Sequence, residues 1–328
     1  MTLLLAISLA CAALVATALW YSIVFPRQPV EGPLPALTGE EGDLARRLKA
    51  HVVAVASRPH NTERFADLEA AAAYIEKTLK SYGYEPVAQV YEVRGRSVRN
   101  IEIVVEPTET SANPPSYVVG AHYDSAGHAP GANDNGTGVA ATLELARLLK
   151  DLKPREHRLR LVLWVNEENP FAKTPDMGSY RHAKALKDNG ERILGAISLE
   201  TLGFFSDKPG TQKFPSPFDL VCSDRGNFAA FVGLPGSRAF VHRVIGSFRS
   251  HTVFPSIGGV APGFIEGIDY SDHWSYHQMG YPALMITDTA PFRNPEYHRP
   301  TDLPDTVDYE SLARITKGVE RTLRDLVR

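Results

Sequence analysis

Residues 117–124 read YVVGAHYD, and residues 159–166 read LRLVLWVN. These two apolar runs decide the fold, because continuous apolar segments of this length are typical of strands buried on both faces of a sheet. Between them, residues 136–149 repeat apolar side chains at helical spacing. A strand, a helix and a second strand in this order indicate a parallel sheet covered by helices.

Further patterns extend this alternation along the chain. We predict more strands at 98–106, 193–200, 218–222 and 283–288, and more helices at 64–82, 178–188 and 309–327. Two stretches rich in proline and glycine, 204–217 and 254–267, are predicted to be loops. The expected fold is α/β: a single large domain with a mixed, mostly parallel central sheet flanked by helices, after an N-terminal transmembrane helix.

The composition excludes several classes of protein. The chain has 328 residues and a net charge of −3, so a basic surface for nucleic acid is not expected. It has two cysteines, Cys11 and Cys222, and Cys11 lies in the apolar N-terminus, which excludes a fold held together by disulfides. Repeats and low-complexity tracts are absent from the sequence, which excludes solenoid and disordered proteins.

The N-terminal region is predicted to be separate from the domain. Residues 3–25 carry no charge and as a helix would span roughly 34 Å, enough to cross a bilayer. We therefore predict a transmembrane anchor over residues 1–25, with a cleaved signal sequence or a core helix as alternatives. Four prolines at positions 26–35 predict an extended linker over residues 26–39, and the domain is expected to span residues 40–328.

Residues that can bind metal follow three predicted strands where these strands end. His122 and Asp124 share one face of the first, and a carboxylate beside a histidine fixes the orientation of a metal-bound imidazole. Glu167 and Glu168 follow the second strand, and Glu200 ends the third. Because a buried carboxylate is costly unless it is paired or binds metal, these positions indicate a metal site at this edge of the sheet.

Two loops complete the candidate ligands. Residues 131–138 read GANDNGTG, in which Asp134 offers two carboxylate oxygens; the alternative is a helix start with Asp134 or Asn135 as N-cap. Residues 294–302 read NPEYHRPTD and contribute His298.

These side chains can hold two zinc ions per chain. Asp134 would bridge the ions, with His122 and Glu200 on one ion and Glu168 and His298 on the other. Three protein ligands on each ion leave open positions for water and substrate, as catalytic zinc requires.

Five motifs, in this order, resemble the co-catalytic di-zinc aminopeptidase family. These zinc exopeptidases are related to bacterial leucyl aminopeptidases, and the family includes glutamate carboxypeptidases and glutaminyl cyclases. The motifs are His-x-Asp at 122–124, Asp-Asn-Gly-x-Gly at 134–138, Glu-Glu at 167–168, the strand-end Glu200, and Tyr-His-x-Pro-x-Asp at 297–302. The resemblance implies that Glu167 is the general base, Asp124 the partner of His122, and Tyr297 a hydrogen-bond donor to the developing oxyanion.

Three positions depart from the family pattern or add to it. Asn133 stands where the family usually has aspartate, although the bridging Asp134 is retained. Glu200 stands where aspartate is common and reaches about one methylene farther. A Ser-Asp-His segment of the family is present as Ser271-Asp272-His273, and we assign it to the architecture of the site.

The expected function is that of a zinc-dependent aminopeptidase, a metallopeptidase that hydrolyses N-terminal peptide bonds with a metal-bridged hydroxide and Glu167 as general base. The alternatives are a carboxypeptidase or another amidohydrolase, a glutaminyl cyclase, and a non-catalytic membrane-tethered binding module. The expected partners are a peptide or small amide substrate and, through the N-terminal helix, a membrane. By analogy with anchored peptidases, the domain is expected in the periplasm or outside the cell, with secretion after signal cleavage as the alternative.

Overall fold

The computed structural model describes residues 2–27, 32–109 and 112–328. Its helices are α1 Thr2–Ile23, α2 Gly39–Val55, α3 Phe65–Ser81, α4 Thr137–Leu148, α5 Gly178–Asp188, α6 Arg238–His251, α7 His273–Gln278, α8 Ala290–Arg293 and α9 Tyr309–Leu326. Its strands are β1 Val87–Val93, β2 Arg96–Val105, β3 Ser116–His122, β4 Arg158–Trp164, β5 Ile193–Glu200, β6 Ala229–Gly233, β7 Ser256–Val260 and β8 Ala283–Thr287.

All eight strands form one sheet in the order β1-β2-β4-β3-β5-β8-β6-β7. The four central strands, β4, β3, β5 and β8, run parallel to one another. β1, β2 and β4 pair antiparallel at one side, and on the other side β6 is antiparallel to β8 and parallel to β7. The prediction of a mixed sheet in a single α/β domain is therefore confirmed.

Helices cover both faces of the sheet. A large apolar core includes side chains of α2, α3, α4, α6 and α9, among them the fully buried Leu48, Leu68 and Phe248. A smaller core on α5 and α7 includes Ala183 and Tyr276, which pack with Trp164 of β4. Because both faces are covered, the central strands are mostly apolar, and Arg160 inside β4 forms an ion pair with Glu102 of β2.

Two local predictions are wrong. Residues 218–222 do not form a strand; Phe218–Leu220 is a 3₁₀ turn, in which the amide of Phe218 donates to the carbonyl of Pro215. The predicted loop 254–267 contains strand β7, which pairs with β6 despite two adjacent glycines.

The N-terminal helix α1 packs against the domain at its C-terminal end. Arg238 donates from Nε to the carbonyl of Tyr21 and from Nη2 to the carbonyl of Val24, both at 2.9 Å. Of the helices in the described ranges, none combines the length and the apolarity needed to cross a bilayer, so the predicted membrane span over residues 1–25 is not supported. The predicted linker 26–39 falls partly outside the described residues.

Candidate metal centre and active site

The predicted ligands lie together at one edge of the sheet. β3 ends at His122, β5 ends at Glu200, and Glu167–Glu168 follow the end of β4. These strands are parallel neighbours, so their carboxyl ends meet at the same edge. Asp134 comes from the turn before α4, and His298 from the loop between α8 and α9.

Asp134 lies between two pairs of ligand side chains. Its Oδ1 is 3.4 Å from Nε2 of His122, and that nitrogen is 3.4 Å from Oε2 of Glu200. Its Oδ2 is 3.0 Å from Nε2 of His298, and that nitrogen is 3.4 Å from Oε1 of Glu168. The two oxygens of one carboxylate therefore face two different His–Glu pairs, which is the arrangement that a bridging ligand requires.

The donor set fits zinc. Imidazole nitrogens and carboxylate oxygens are ordinary zinc ligands, and in each trio around Asp134 the ligand atoms lie within 4.8 Å of one another. Oε1 of Glu168 is buried and makes no hydrogen bond to any described residue. A buried oxygen without a donor is costly, and a cation at this position removes that cost.

Charge within the cluster also favours a bound cation. Burial and the neighbouring Asp134 raise the pKa of Glu168 to about 7. Burial opposes protonation of His298, yet Asp134 and Glu168 raise its pKa to about 11. The protonated imidazole of His298 thus balances the negative charge of the neighbouring carboxylates. A divalent cation can replace its proton and balance the same charge.

Glu167 lies beside the cluster without joining either His–Glu pair. Its Oε2 is 3.9 Å from Nε2 of His122, and its side chain is 13% exposed. Burial, reinforced by the charge of Glu168, raises the pKa of Glu167 well above its usual range. A carboxyl group of this kind, with access to water, is placed to accept and return a proton.

Asp124 contacts His122 differently from the sequence-based expectation. Nδ1 of His122 is 3.0 Å from the backbone carbonyl oxygen of Asp124 and 3.6 Å from its carboxylate. The carboxylate instead accepts from the amides of Glu167, at 3.0 Å, and Glu168, at 3.2 Å. Asp124 therefore orients the imidazole through its main chain and positions the Glu-Glu pair through its side chain.

Asp302 holds the turn that carries the bridging carboxylate. One of its oxygens accepts from the amide of Asn133 at 2.8 Å, and the other accepts from the amide of Asp134 at 3.1 Å. Burial raises the pKa of this carboxyl to about 7. Asp302 ends the Tyr-His-x-Pro-x-Asp motif, and this place in the motif is the signal that the sequence offers for its role.

Asn135 and Gly138 fix the same turn from its other side. The Asn135 side chain accepts from the amide of Gly138 at 3.0 Å and donates to the carbonyl of Leu199 at 2.8 Å. A Cβ at position 138 would lie 2.4 Å from that same carbonyl oxygen. The glycine is required because α4 begins directly against β5. The N-cap of α4 is Gly136 rather than Asp134 or Asn135, and the Asn135 side chain binds the amide of Gly138 from outside the helix.

The Ser-Asp-His segment contacts the candidate ligand Glu200. Ser271 donates to Oε2 of Glu200 at 2.7 Å and contacts the hydroxyl of Ser198 at 2.7 Å. His273 points to the carbonyl of Ile268, 2.9 Å from its Nε2, and belongs to none of the metal-competent groups among the described residues. The hydrogen bond from Ser271 to Glu200 was not predicted from the sequence, because the two residues belong to separate segments.

Tyr297 packs on the adjacent ligand. Its ring stacks on His298 with 3.9 Å between centroids. Burial and the nearby carboxylates, Asp134 first, raise the pKa of Tyr297 well above its usual range, so its hydroxyl keeps its proton and can donate.

Comparison with known proteins identifies the family. Residues 100–323 match Peptidase family M28. The chain belongs to this family. It is 37% identical to the uncharacterized protein YfbL of Escherichia coli (strain K12) over 270 residues, which cover 80% of this chain and 81% of YfbL. The predicted resemblance is thereby confirmed, and with it the predicted enzyme class, a metallopeptidase.

More distant similarities agree with this assignment. A probable leucine aminopeptidase of Arthroderma otae (strain ATCC MYA-4605 / CBS 113480) is 26% identical over 214 residues, covering 61% of this chain and 50% of that protein. The structure of an aminopeptidase from Aneurinibacillus sp. strain AM-1 superposes with a TM-score of 0.67 at 18% identity, covering 88% of this chain and 96% of that one. At this identity, the superposition shows a shared fold.

The M28 site opens into an apolar pocket of about 600 Å³. Glu200 and Tyr297 belong to its lining. The remaining walls are mostly apolar and include Phe228, Met285 and Phe292. The candidate ligands therefore lie beside a space large enough for a substrate side chain.

Proposed function

We propose that this M28 peptidase is a zinc aminopeptidase that removes apolar N-terminal residues from peptides. The observation that carries the proposal is the position of Asp134, whose two oxygens face two separate His–Glu pairs beside the pocket. Two zinc ions would be held there by the five side chains His122, Asp134, Glu168, Glu200 and His298.

Zinc held by these side chains would supply polarisation of the scissile carbonyl and a lowered pKa of bound water, which hydrolysis near neutral pH requires. Glu167 takes up the proton released by the attacking water at its carboxylate, and then returns it to the leaving amine. Tyr297 donates its hydroxyl hydrogen to the oxygen of the carbonyl under attack.

The shape of the pocket supports the choice of an apolar substrate residue. Its walls are mostly apolar, so an apolar side chain on the substrate suits it. Arg27 and Arg249 also line it, and the guanidinium of Arg249 already donates to the carbonyls of Pro26, Arg27 and Ser256.

The test is hydrolysis of aminoacyl p-nitroanilides by the purified full chain. We expect leucyl and phenylalanyl substrates to be cleaved, chelator to stop cleavage, and zinc to restore it. N-acetylated leucyl p-nitroanilide is the matched control and should not be cleaved. Cleavage of the acetylated substrate, release of C-terminal residues only, or pyroglutamate formation from glutaminyl peptides would each replace the proposal by one of the alternative activities.

The location of the catalytic domain outside the cytoplasm stays a prediction. Fractionation of cells that express the tagged full chain tests it, and recovery of the activity in the cytoplasmic fraction would contradict it.

A further inference from the structure

One wall of the apolar pocket comes from outside the segment that matches family M28. Four lining residues, Ile23, Val24, Phe25 and Arg27, belong to the end of α1 and the turn after it, whereas the family match covers residues 100–323. The lining of the same pocket includes Glu200 and Tyr297. The pocket therefore borders both the candidate metal site and the N-terminal segment.

Two arginines hold this segment, Ile23–Arg27, against the domain. Arg238 donates to the carbonyls of Tyr21 and Val24 at 2.9 Å, and its guanidinium lies 5.2 Å from the ring centroid of Phe25. Arg249 donates from Nη1 to the carbonyl of Pro26 at 2.9 Å and to that of Arg27 at 2.7 Å. Charged donors thus bind the carbonyls of three residues of the segment, Val24, Pro26 and Arg27, so its position does not depend on side-chain packing alone.

Packing completes the attachment. Phe25 is 8% exposed, and its ring covers Gly258 of β7 so closely that a Cβ at position 258 would lie 2.4 Å from the ring. Gly258, which disfavours a strand, thus leaves the space that the ring of Phe25 occupies. The segment packs closely against the domain and forms part of the pocket lining.

We propose that the segment Ile23–Arg27 is a specificity wall of the substrate pocket. It limits how far the apolar side chain of the N-terminal residue extends, and it shields that side chain from water. This inference rests on the proposed aminopeptidase function and adds that residues preceding the catalytic domain select the residue that is cleaved. The substrate class is a peptide whose first side chain is large and apolar, such as leucine or phenylalanine.

The first test replaces a residue of the segment by a larger side chain that occupies part of the pocket. Ile23→Trp in the full chain should lower kcat/KM for phenylalanyl p-nitroanilide by about tenfold more than for the alanyl substrate, mainly through KM, since an apolar pocket discriminates by factors of about 10 to 200 for each methylene. The control is Ser22→Trp, which places the same side chain one residue away, outside the pocket lining. Equal phenylalanyl-to-alanyl ratios in Ile23→Trp and Ser22→Trp would overturn the proposal.

The second test loosens the wall from outside the pocket. Arg238 does not line the pocket, so Arg238→Ala acts only through the segment, whereas Arg238→Lys retains one donor. We expect Arg238→Ala to raise KM for the phenylalanyl substrate with little change in kcat, and Arg238→Lys to rescue part of the loss. A wild-type KM in Arg238→Ala overturns the proposal even where Ile23→Trp fails to fold.

A binding measurement separates this inference from the proposed function. Titration with 8-anilinonaphthalene-1-sulfonate, an apolar fluorescent anion, reports the pocket without turnover. We expect the wild type and Ser22→Trp to bind the dye alike and Ile23→Trp to bind it at least about tenfold more weakly. If p-nitroanilides are not hydrolysed at all, the aminopeptidase proposal fails. If Ile23→Trp binds the dye as tightly as the wild type does, the proposal that the segment forms a wall of the pocket fails.

Discussion

Asp302→Asn tests the support of the bridging carboxylate. The Asp302 carboxylate is fully buried and accepts from two consecutive amides, those of Asn133 and Asp134, at 2.8 and 3.1 Å. Asparagine has nearly the same volume but offers one acceptor oxygen, so one amide would face an NH₂ group. Hydrogen bonds to charged groups contribute about 1.5–3 kcal/mol each, so we expect the free energy of unfolding to fall by about 2 kcal/mol.

Metal affinity should fall in the same variant. Asp302 does not face the metal ligands itself but positions the turn that carries Asp134, and loss of such an outer partner typically weakens metal binding about 10- to 100-fold. Chemical denaturation of the metal-free protein and competition with a zinc-binding dye measure the two effects. Asp305→Asn is the matched control, because the Asp305 side chain is 91% exposed and only pairs with Lys49. A zinc affinity in Asp302→Asn equal to that of Asp305→Asn would refute the reasoning.

Three further predictions concern the base, the electrostatics and the turn. Glu167→Gln should lower kcat by at least about 10²-fold while zinc content is unchanged, measured by leucyl p-nitroanilide assay and elemental analysis, and near-normal turnover would exclude Glu167 as the base. The metal-free protein should become less stable as pH rises from about 4.5 to 8. Glu168 has a pKa of about 7 in the folded protein, so the folded state keeps a proton that the unfolded chain has already released in this range. A melting temperature that rises with pH would contradict this prediction. Gly138→Ala should destabilise by about 1–3 kcal/mol, because its Cβ would meet the carbonyl of Leu199. Gly42→Ala in α2 should not destabilise, because its Cβ would only reach ordinary contact with the flexible Arg46 side chain at 4.0 Å, and urea titrations of both variants measure the difference.

The sequence predicted those parts of the fold whose pattern is local. β3, β4, β5 and β8 are apolar runs buried in the sheet, and α3, α4, α5 and α9 repeat apolar residues at helical spacing, so both periods were visible. The glycines of β7 predict a loop, whereas in the structure β7 is ordered by pairing with β6 and by the ring of Phe25 over Gly258. Phe25 and Gly258 are more than 200 positions apart, and β6 and β7 are paired 27 positions apart, so local periodicity registers neither contact.

The candidate site shows the same division. His122, Glu168 and Glu200 could be placed together because each comes at the end of a parallel strand or directly after one. The roles of the carboxylates around them could not be assigned, because Asp124 and Asp302 face main-chain amides of other loops. The spacing of residues along one segment determines which side chains share a face, whereas the partner of a buried carboxylate depends on how separate loops pack.

The zinc content of the purified full chain tests the central claim most directly. We predict two zinc ions per chain in the wild type and in the exposed control Asp305→Asn. Asp134→Ala should lose both the ions and the hydrolysis of leucyl p-nitroanilide, because its carboxylate faces both His–Glu pairs. Two ions retained in Asp134→Ala, or full activity in a wild type that holds none, would contradict the account.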